Sequence, residues 1–493
     1  MVFERTLFSV LFYLVLSYSA QAASHAINLP GSSVQQRFFI APIIYDNNFE
    51  TEHERLGYRL PIEPHPISFS LDDRVYIRQK NGVVYMDDQG TWSFASFMSA
   101  ISEASGQPCS GIDLFVRNDL RIVFDKDGYA YTPVLAYFGK MKRAFLLIKS
   151  PNSEQWRAYK LPSGDPRMEW FSGANMLDRP PAVLLYEDKT ISVVNVRRDQ
   201  DKISISKPQE ISRNVLAIAM LGSGGSIVVR SGEWIHTVFA FDTSPESMEG
   251  TPEMWARWSP QKNLQYPPQL LGMSVVFESP APDPHDCPVV VADSLGRLHA
   301  VLAAHNRPFQ YTHTQNSASL EKITWTKLEV IQKTKDDKAY TFEPWFLSYP
   351  ELVCDSRDTL HLVARQWTKE KGKQLVYLKK EPGKDWTKPL ELVVALHGGY
   401  LNCYHRLMKD SQDRLFLTYY VYFNDFTNDQ MQAYHEKYPE EKLIRGAGQG
   451  SGRFNYEGVK RHGPYLLVSE DRGNSWRMAV IDDIKPLRNI KNE

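Results

Sequence analysis

The chain has 493 residues and a formal net charge of −1, and 12% of its residues are aromatic. This length is sufficient for a large hydrophobic core. The near-zero charge excludes a general attraction to nucleic acid or to an anionic membrane surface, so an acidic ligand would have to be held by local positive groups.

The N-terminus is typical of a secretory signal peptide. Arg5 precedes an apolar stretch over residues 7–18, and Ala20-Gln21-Ala22 fits a cleavage site with small residues. The apolar stretch is shorter than the roughly 20 residues that a membrane-spanning helix needs. We therefore expect cleavage near Ala22 and a soluble chain, residues 23–493, that is secreted or periplasmic, monomeric and without a nucleic-acid or membrane partner. Its four cysteines do not form a disulfide scaffold, although one or two bridges would suit an oxidising compartment.

Four segments of the chain repeat one turn pattern. They read "IVFDKDGYAYTP", "VVADSLGRLHAV", "LVCDSRDTLHLV" and "LMKDSQDRLFLT", with the turn aspartates at Asp125, Asp293, Asp355 and Asp410. Each has an apolar run, Asp, two further residues, Gly or Asp, and a second strand-like run. Asp starts a turn by bonding its own backbone, and Gly accepts a positive φ, so each segment predicts a β-hairpin.

A second repeated element ends in tryptophan. "SEDRGNSW", residues 469–476, resembles the Asp-box, a turn between the outer strands of a propeller blade, and weaker relatives end at Trp92, Trp156 and Trp386. Hairpins and such turns repeating at roughly 50 to 80 residues predict an all-β fold, a single seven-bladed β-propeller. Residues 424–463 break the strand rhythm and are expected to form a long loop over one face.

A pair of histidines flanks the Asp293 hairpin. His285 and His305 are equidistant from residue 295 in its turn, so they face each other if the two runs pair as antiparallel strands. Tyr349 and Arg365 are likewise equidistant from residue 357 in the Asp355 turn. Consecutive blades place such hairpin ends on one face, so the four side chains are predicted to share one cavity.

These four residue types suit β-elimination from a uronate. Arg365 could bind the carboxylate and stabilise the developing enolate. A neutral histidine or a deprotonated Tyr349 could remove the C5 proton, and Tyr349 or the second histidine could protonate the leaving oxygen. No cofactor is required for this chemistry. Which histidine is the base stays open, and Asn306 and Arg307 next to His305 are expected to contact the substrate.

Each candidate also has a structural interpretation. Arg365 lies in the apolar run "LVARQW" and could be held by an ion pair, and Tyr349 alone would be an ordinary buried tyrosine. His299 and His361 lie within strands, at the same step after their turns, and are interpreted as structural.

Residues 280–480 resemble a known family. "DPHDCPVVVADSLGRLHAVLAAHNRPFQYTH", "YPELVCDSRDTLHLVARQW" and "YHRLMKDSQDRLFLTYY" are similar to the BNR repeat-containing proteins that include the ulvan lyases. The resemblance implies a seven-bladed propeller that cleaves a rhamnose–uronate linkage in a sulfated algal polysaccharide. It matches the family's paired histidines to His285 and His305, and its tyrosine and arginine to Tyr349 and Arg365. In the ulvan lyases this constellation lies nearer the N-terminus, whereas here about 260 residues of the mature chain precede it.

A metal site is a weaker prediction. Cys403 and His405 in "LNCYHRL" lie on one face of a strand, and His397 is near in sequence. Zinc binds Cys and His ligands, and the resemblance implies that a structural zinc is compatible with the fold. The alternative is a packed thiol and a hydrogen-bonded histidine, because no CxxC or HxxxH motif is present.

The sequence therefore predicts a secreted polysaccharide lyase whose partner is an acidic, ulvan-like polysaccharide. Two alternatives remain. A sialidase-like glycoside hydrolase would share the Asp-box propeller but would need three arginines, of which only Arg365 is well placed. A non-catalytic glycan-binding propeller would share the fold and the aromatic residues without the chemistry.

Overall fold

Antiparallel sheets follow one another along the chain in the computed structural model, as the repeated hairpin turns predict. The structure describes residues 67–78, 81–86, 92–115, 121–153, 155–169, 179–218, 226–242, 250–274, 283–302, 308–331, 345–368, 372–393, 401–424, 459–479 and 483–484. Within these ranges there are seven sheets of four or five strands, which form a ring of seven blades. The prediction of a seven-bladed β-propeller is confirmed. Residues 1–22 and most of the predicted face loop lie outside the described residues.

The first three blades include a connecting helix and an added ribbon. Blade 1 comprises β1 (Ile67–Phe69), β2 (Val75–Arg78), β3 (Gly82–Met86) and β4 (Trp92–Ser96), and is followed by helix α1 (Met98–Ser105) and the 3-10 turn Cys109–Gly111. Blade 2 comprises β5 (Ile112–Phe115), β6 (Val123–Phe124), β7 (Ala130–Phe138), β8 (Met141–Lys149) and β9 (Trp156–Lys160). Blade 3 comprises β10 (Asp165–Met168), β11 (Val183–Glu187), β12 (Thr190–Val194) and β15 (Gln209–Ser212), with a ribbon of β13 (Val196–Asp199) and β14 (Lys202–Ile205) inserted before its last strand.

The remaining four blades extend to the C-terminal strands. Blade 4 comprises β16 (Val215–Ala217), β17 (Val228–Ser231), β18 (Trp234–Phe241), β19 (Pro252–Ser259) and β20 (Leu264–Met273). Blade 5 comprises β21 (Val289–Ala292), β22 (Leu298–Leu302), β23 (Gln310–His313) and β24 (Glu329–Val330). Blade 6 comprises β25 (Trp345–Cys354), β26 (Leu360–Thr368), β27 (Gly372–Lys380) and β28 (Leu390–Val393). Blade 7 comprises β29 (Leu401–Lys409), β30 (Leu415–Asn424), β31 (Val459–Ser469) and β32 (Arg477–Met478).

The predicted aspartate turns join the first strand of a blade to the second. Oδ1 of Asp293 accepts the amide protons of Leu295 and Arg297 at 3.0 and 2.8 Å. Asp125, Asp355 and Asp410 make the equivalent pair of bonds in their own turns. The fourth turn residue has a positive φ, 73° at Gly296, which explains the Gly or Asp of the pattern.

The aspartate turns also link neighbouring blades through the residue that follows the aspartate. The amide of Ser294 in blade 5 donates to Asp358 of blade 6 at 2.7 Å. Ser356 of blade 6 bonds Asp413 of blade 7 in the same way. Ser411 of blade 7 bonds Asp73 of blade 1, with the amide 3.0 Å from Oδ1. The last of these links closes the ring.

Apolar side chains fill the spaces between blades. Val291 and Tyr311 of blade 5 share a buried cluster with Leu352 and Leu362 of blade 6. Blades 7 and 1 share a smaller cluster in which the rings of Phe69 and Phe416 lie 4.7 Å apart. First strands of successive blades contact one another, for example β21 with β25, β25 with β29 and β1 with β29. The first strands therefore surround the axis of the ring.

A buried ion cluster crosses this axis. The carboxylate of Glu351 in blade 6 lies 3.0 Å from Nη2 of Arg121 in blade 2 and 3.5 Å from Nη1 of Arg406 in blade 7. All three side chains are at most 6% exposed. Removing ions from water costs several kcal/mol each unless they are well paired, so the arrangement holds these three blades in one relative position.

The Asp-box turn connects the two outer strands of blade 7, as predicted. Asp471 accepts the amide and hydroxyl protons of Ser475 at 2.8 and 2.6 Å, and Trp476 is 3% exposed. Gly473 has a φ of 82°, and a Cβ there would lie 1.8 Å from the Tyr377 hydroxyl of blade 6. The turn thus packs against the neighbouring blade. Trp156 and Trp386 likewise follow turns between the third and fourth strands of blades 2 and 6.

Candidate functional site

The candidate site lies at the ends of the inner strands of blades 5 and 6, opposite the aspartate turns. In blade 5, Val289 pairs with Val301 and Ala292 with Leu298, which is the register that the sequence predicts around residue 295. His285 precedes this ladder in the segment leading into β21, and its side chain is 33% exposed. His305, Asn306 and Arg307 lie outside the described residues, so the cross-strand histidine pair stays a prediction.

His285 is held by a neighbouring carboxylate. Oδ1 of Asp283 lies 2.6 Å from Nδ1 of His285 and also accepts the backbone amide proton of His285 at 2.8 Å. An aspartate that bonds the backbone two residues on forms an Asx-turn, which fixes the local chain direction. Asp283 is not among the residues predicted from the sequence, although the order Asp-Pro-His is typical of such a turn.

The register prediction in blade 6 is wrong by one residue at the site. Glu351 pairs with Val363, as expected for a turn centred on residue 357, but a β-bulge follows and Arg365 pairs with Ser348 instead of Tyr349. Tyr349 occupies the bulge with a φ of 59°, a conformation that tyrosine seldom adopts. Because of the bulge, the side chains around Tyr349 do not point alternately to the two faces of the sheet as they do in a regular strand.

The bulge nevertheless brings the three described candidates together. The ring of Tyr349 lies 6.2 Å from the ring of His285, between centroids, and the guanidinium carbon of Arg365 lies 4.3 Å from the Tyr349 centroid. Arg365 is 5% exposed and Tyr349 is 7% exposed. Among the residues that the structure describes, no carboxylate lies within ion-pair distance of Arg365. Its stabilising neighbour is the aromatic face, a cation–π contact.

Another histidine supports the bulge from blade 7. His405 is buried, and its Nε2 donates to the carbonyl of Val363 at 3.2 Å. Burial, and after it the charges of Arg406 and Arg365, lower the pKa of His405 to about 3, so the ring is neutral near pH 7. Blade 7 thus contributes a structural side chain that lies against blade 6 next to Tyr349 and Arg365.

The surroundings of His405 do not favour a divalent cation, because two arginines lie near and Nε2 is engaged by a carbonyl. Among the described residues, no group of three His, Cys, Asp or Glu side chains is placed to hold a metal ion. His397 and the side chain of Cys403 lie outside the described residues, so the zinc hypothesis stays a prediction. Cys109, Cys287 and Cys354 are free.

The two strand histidines are structural, as predicted. Nδ1 of His299 lies 2.7 Å from the Tyr311 hydroxyl, and its Nε2 lies 3.1 Å from Asp293. His361 repeats this arrangement with Tyr377 and Asp355 at 2.7 and 3.3 Å. Both histidines connect a turn aspartate to a third-strand tyrosine inside one blade, away from Tyr349 and Arg365.

Residues 255–490 match a family described as "BNR repeat-containing family member". No curated protein sequence matches the chain. No helix within the described ranges is long and apolar enough to cross a membrane.

Several solved structures resemble the fold at low identity. An ulvan lyase of a polysaccharide lyase family is 12% identical, with a TM-score of 0.36 over 56% of this chain and 57% of that structure. The Synechocystis apocarotenoid oxygenase is 13% identical, with a TM-score of 0.37 over 66% and 71% of the two chains. The Penicillium chrysogenum α-L-arabinanase is 9% identical, with a TM-score of 0.33 over 61% and 88%.

The match therefore spans less than two thirds of the ulvan lyase's own length. These similarities concern architecture alone, because at such identities one fold hosts many unrelated activities. The family match over residues 255–490 and the ring of seven blades among the described strands agree with each other: the chain folds as a β-propeller, and this part of it is similar to the BNR repeat-containing proteins.

Proposed function

We propose that the protein is a polysaccharide lyase that cleaves an acidic, uronate-containing polysaccharide of the sulfated, ulvan-like type by β-elimination. The observation that carries the proposal is Arg365, a nearly buried cation stacked on Tyr349 beside His285, for which the described residues supply no carboxylate. A buried charge is costly unless it is paired. A uronate carboxylate is the partner that this position suits best.

The roles of the side chains follow from their chemistry. The forked guanidinium of Arg365 binds the uronate carboxylate and stabilises the negative charge that develops when the adjacent C–H bond breaks. His285 or a deprotonated Tyr349 removes the C5 proton. The electrons form the C4–C5 double bond as the C4–oxygen bond breaks, and the other of these two groups, or His305, gives a proton to the leaving oxygen.

The position of the site suits a polymer. The cluster lies at the open ends of two neighbouring blades and not inside one sheet. The His285 side chain, 33% exposed, faces solvent while Arg365 is covered by the Tyr349 ring. A chain lying across the face could reach the base first and bring one carboxylate to the arginine. The proposed chemistry uses side chains alone and needs no cofactor.

The N-terminal sequence supports the further proposal that the protein is secreted or periplasmic.

Absorbance near 235 nm tests the proposal. Purified protein is incubated with ulvan, pectic and glycosaminoglycan polysaccharides, and the unsaturated uronate formed by elimination is recorded. We expect an increase with an ulvan-like substrate, and an Arg365→Ala variant that loses about 10² to 10³-fold in rate. Release of reducing ends without absorbance would favour the sialidase-like alternative. Saturable binding without either product would favour a glycan-binding propeller.

A further inference from the structure

The segment that carries His285 is held more firmly than its partial exposure would suggest. The amide of Asp283 donates to Oγ1 of Thr251 at 2.9 Å, and its carbonyl accepts the amide proton of Asp286 at 3.0 Å. Ser274 accepts the Thr251 amide proton at 3.0 Å and donates to the Asp286 carboxylate at 2.5 Å. Thr251 and Ser274 flank β19 and β20, so blade 4 anchors this segment.

On this anchored segment, we infer that Asp283 is a positioning residue that fixes the orientation and the tautomer of His285. A carboxylate only accepts hydrogen bonds, so the 2.6 Å contact places the ring proton on Nδ1. Nε2, the ring nitrogen farther from Asp283, then carries the lone pair of the neutral imidazole. A ring held in this way can act as a base without first exchanging its proton.

The geometry resists rotation of the ring. One oxygen of Asp283 bonds both the backbone amide and the side chain of His285, which ties χ1 and χ2 of the histidine to the backbone. Pro284 lies between the two residues and restricts the conformation of Asp283. The carbonyl of Pro284 in turn accepts the Cys287 thiol proton at 3.2 Å. The loop therefore presents one histidine conformation toward Tyr349.

The effect of Asp283 on catalysis rests on the proposed function, whereas its effect on the tautomer of His285 does not. The tautomer of His285 is measurable in the protein without any substrate. Loss of the Asp283 carboxylate would slow proton transfer, so kcat should change more than KM. These two readouts separate a failure of the inference from a failure of the proposed lyase activity.

The test compares Asp283→Asn with wild type and with Asp293→Asn as a matched control. Asp293 also bonds a histidine, His299, but at the other end of the same blade. Imidazole ¹⁵N signals of histidine-labelled protein are recorded, and those of His285 are assigned by their loss in His285→Gln. Circular dichroism confirms that each variant is folded.

We expect Nδ1 of His285 to carry the proton in wild type and in Asp293→Asn, and Nε2 to gain it in Asp283→Asn. We also expect kcat to fall at least about 10-fold in Asp283→Asn with KM little changed, since a carboxylate that sets the tautomer of a catalytic histidine can contribute up to about 10⁴-fold. Asp293→Asn should keep the turnover per folded molecule.

Two outcomes would overturn the inference: an unchanged His285 tautomer in Asp283→Asn, or a changed tautomer with full kcat. If wild type cleaves none of the polysaccharides, the proposed function fails on its own, and the tautomer alone decides whether Asp283 sets the state of His285.

Discussion

The guanidinium carbon of Arg365 lies 4.3 Å from the centre of the Tyr349 ring, beside a bulge that shifts the pairing of β25 with β26 by one residue. The bulge positions the tyrosine under the cation, although the two residues are not paired across the strands. A buried arginine is thus stabilised by an aromatic face, and no carboxylate of the described residues lies within ion-pair distance of it.

Replacing Arg365 by lysine should show whether the forked geometry matters. Lysine keeps the charge but offers a point donor and stacks less well on an aromatic ring. We expect Arg365→Lys to be slower than wild type and faster than Arg365→Ala in elimination at 235 nm. Activity of Arg365→Lys equal to wild type would mean that charge alone is used there.

Tyr349→Phe removes only the hydroxyl group. The ring would still contact Arg365 and His285, so the melting temperature should be close to that of wild type. If the hydroxyl transfers a proton, turnover should fall by about 10² to 10⁴-fold. A fully active Tyr349→Phe would leave the proton transfers to the histidines.

His285 and His299 should differ in what they control. His299→Ala leaves the buried Tyr311 hydroxyl without its partner and should lower the free energy of unfolding by about 1–3 kcal/mol with turnover per folded molecule retained. His285→Ala should abolish most activity and change stability little. Urea unfolding and the 235 nm assay on both variants test this contrast, and the opposite pattern would exclude His285 from the chemistry.

Acid should destabilise the protein through two buried neutral histidines. Burial, and next the charge of Arg257, lowers the pKa of His236 to about 3, and His405 has a pKa of about 3 through burial and the charge of Arg406. The unfolded chain binds a proton on each near pH 6.5, whereas the folded chain does not. Stability should therefore be fully present above about pH 6.5 and decline toward pH 3, by about 1.4 kcal/mol per pH unit for each histidine.

Urea midpoints between pH 8 and pH 4 measure this decline. A His236→Gln variant should show a shallower slope, because it removes one of the two protons taken up on unfolding. An identical slope in wild type and variant would mean that other groups cause the acid sensitivity.

Glu351→Ala should be among the most destabilising substitutions. It would remove the carboxylate that Arg121 and Arg406 share on the ring axis, and breaking a buried ion pair from one side costs about 3–5 kcal/mol. Urea unfolding measures the loss. A Glu351→Ala variant as stable as wild type would show that water or other groups replace this carboxylate readily.

The sequence predicts local features of this fold well because they arise from short-range chemistry. The Asp293 turn and its register follow from residues within the hairpin, and both agree with the structure. The bulge at Tyr349 shifts the register by one and could be anticipated only from Pro350, since proline within a sheet is found at bulges and edges.

The contacts between blades could not be predicted from the sequence. Arg121 and Glu351 are separated by 230 positions, and no periodicity indicates that they meet. The support of His405 for the Tyr349 bulge likewise depends on how blades 6 and 7 pack. Its sequence context, with Cys403 two residues away, suggested a metal ligand because both side chains suit zinc.

The closure of the ring through Ser411 and Asp73 has a mechanical consequence. Among the described strands, blade 1 is built only from N-terminal strands and blade 7 only from C-terminal ones, so no β-ladder spans the junction. The two blades can separate by breaking side-chain contacts while every strand keeps its backbone partners. Hydrogen exchange should then detect opening at this junction as loss of protection for the Ser411 amide alone, with the ladders on either side remaining slow. The propeller can therefore open locally at the junction of blades 7 and 1 while the strands within each blade stay hydrogen-bonded.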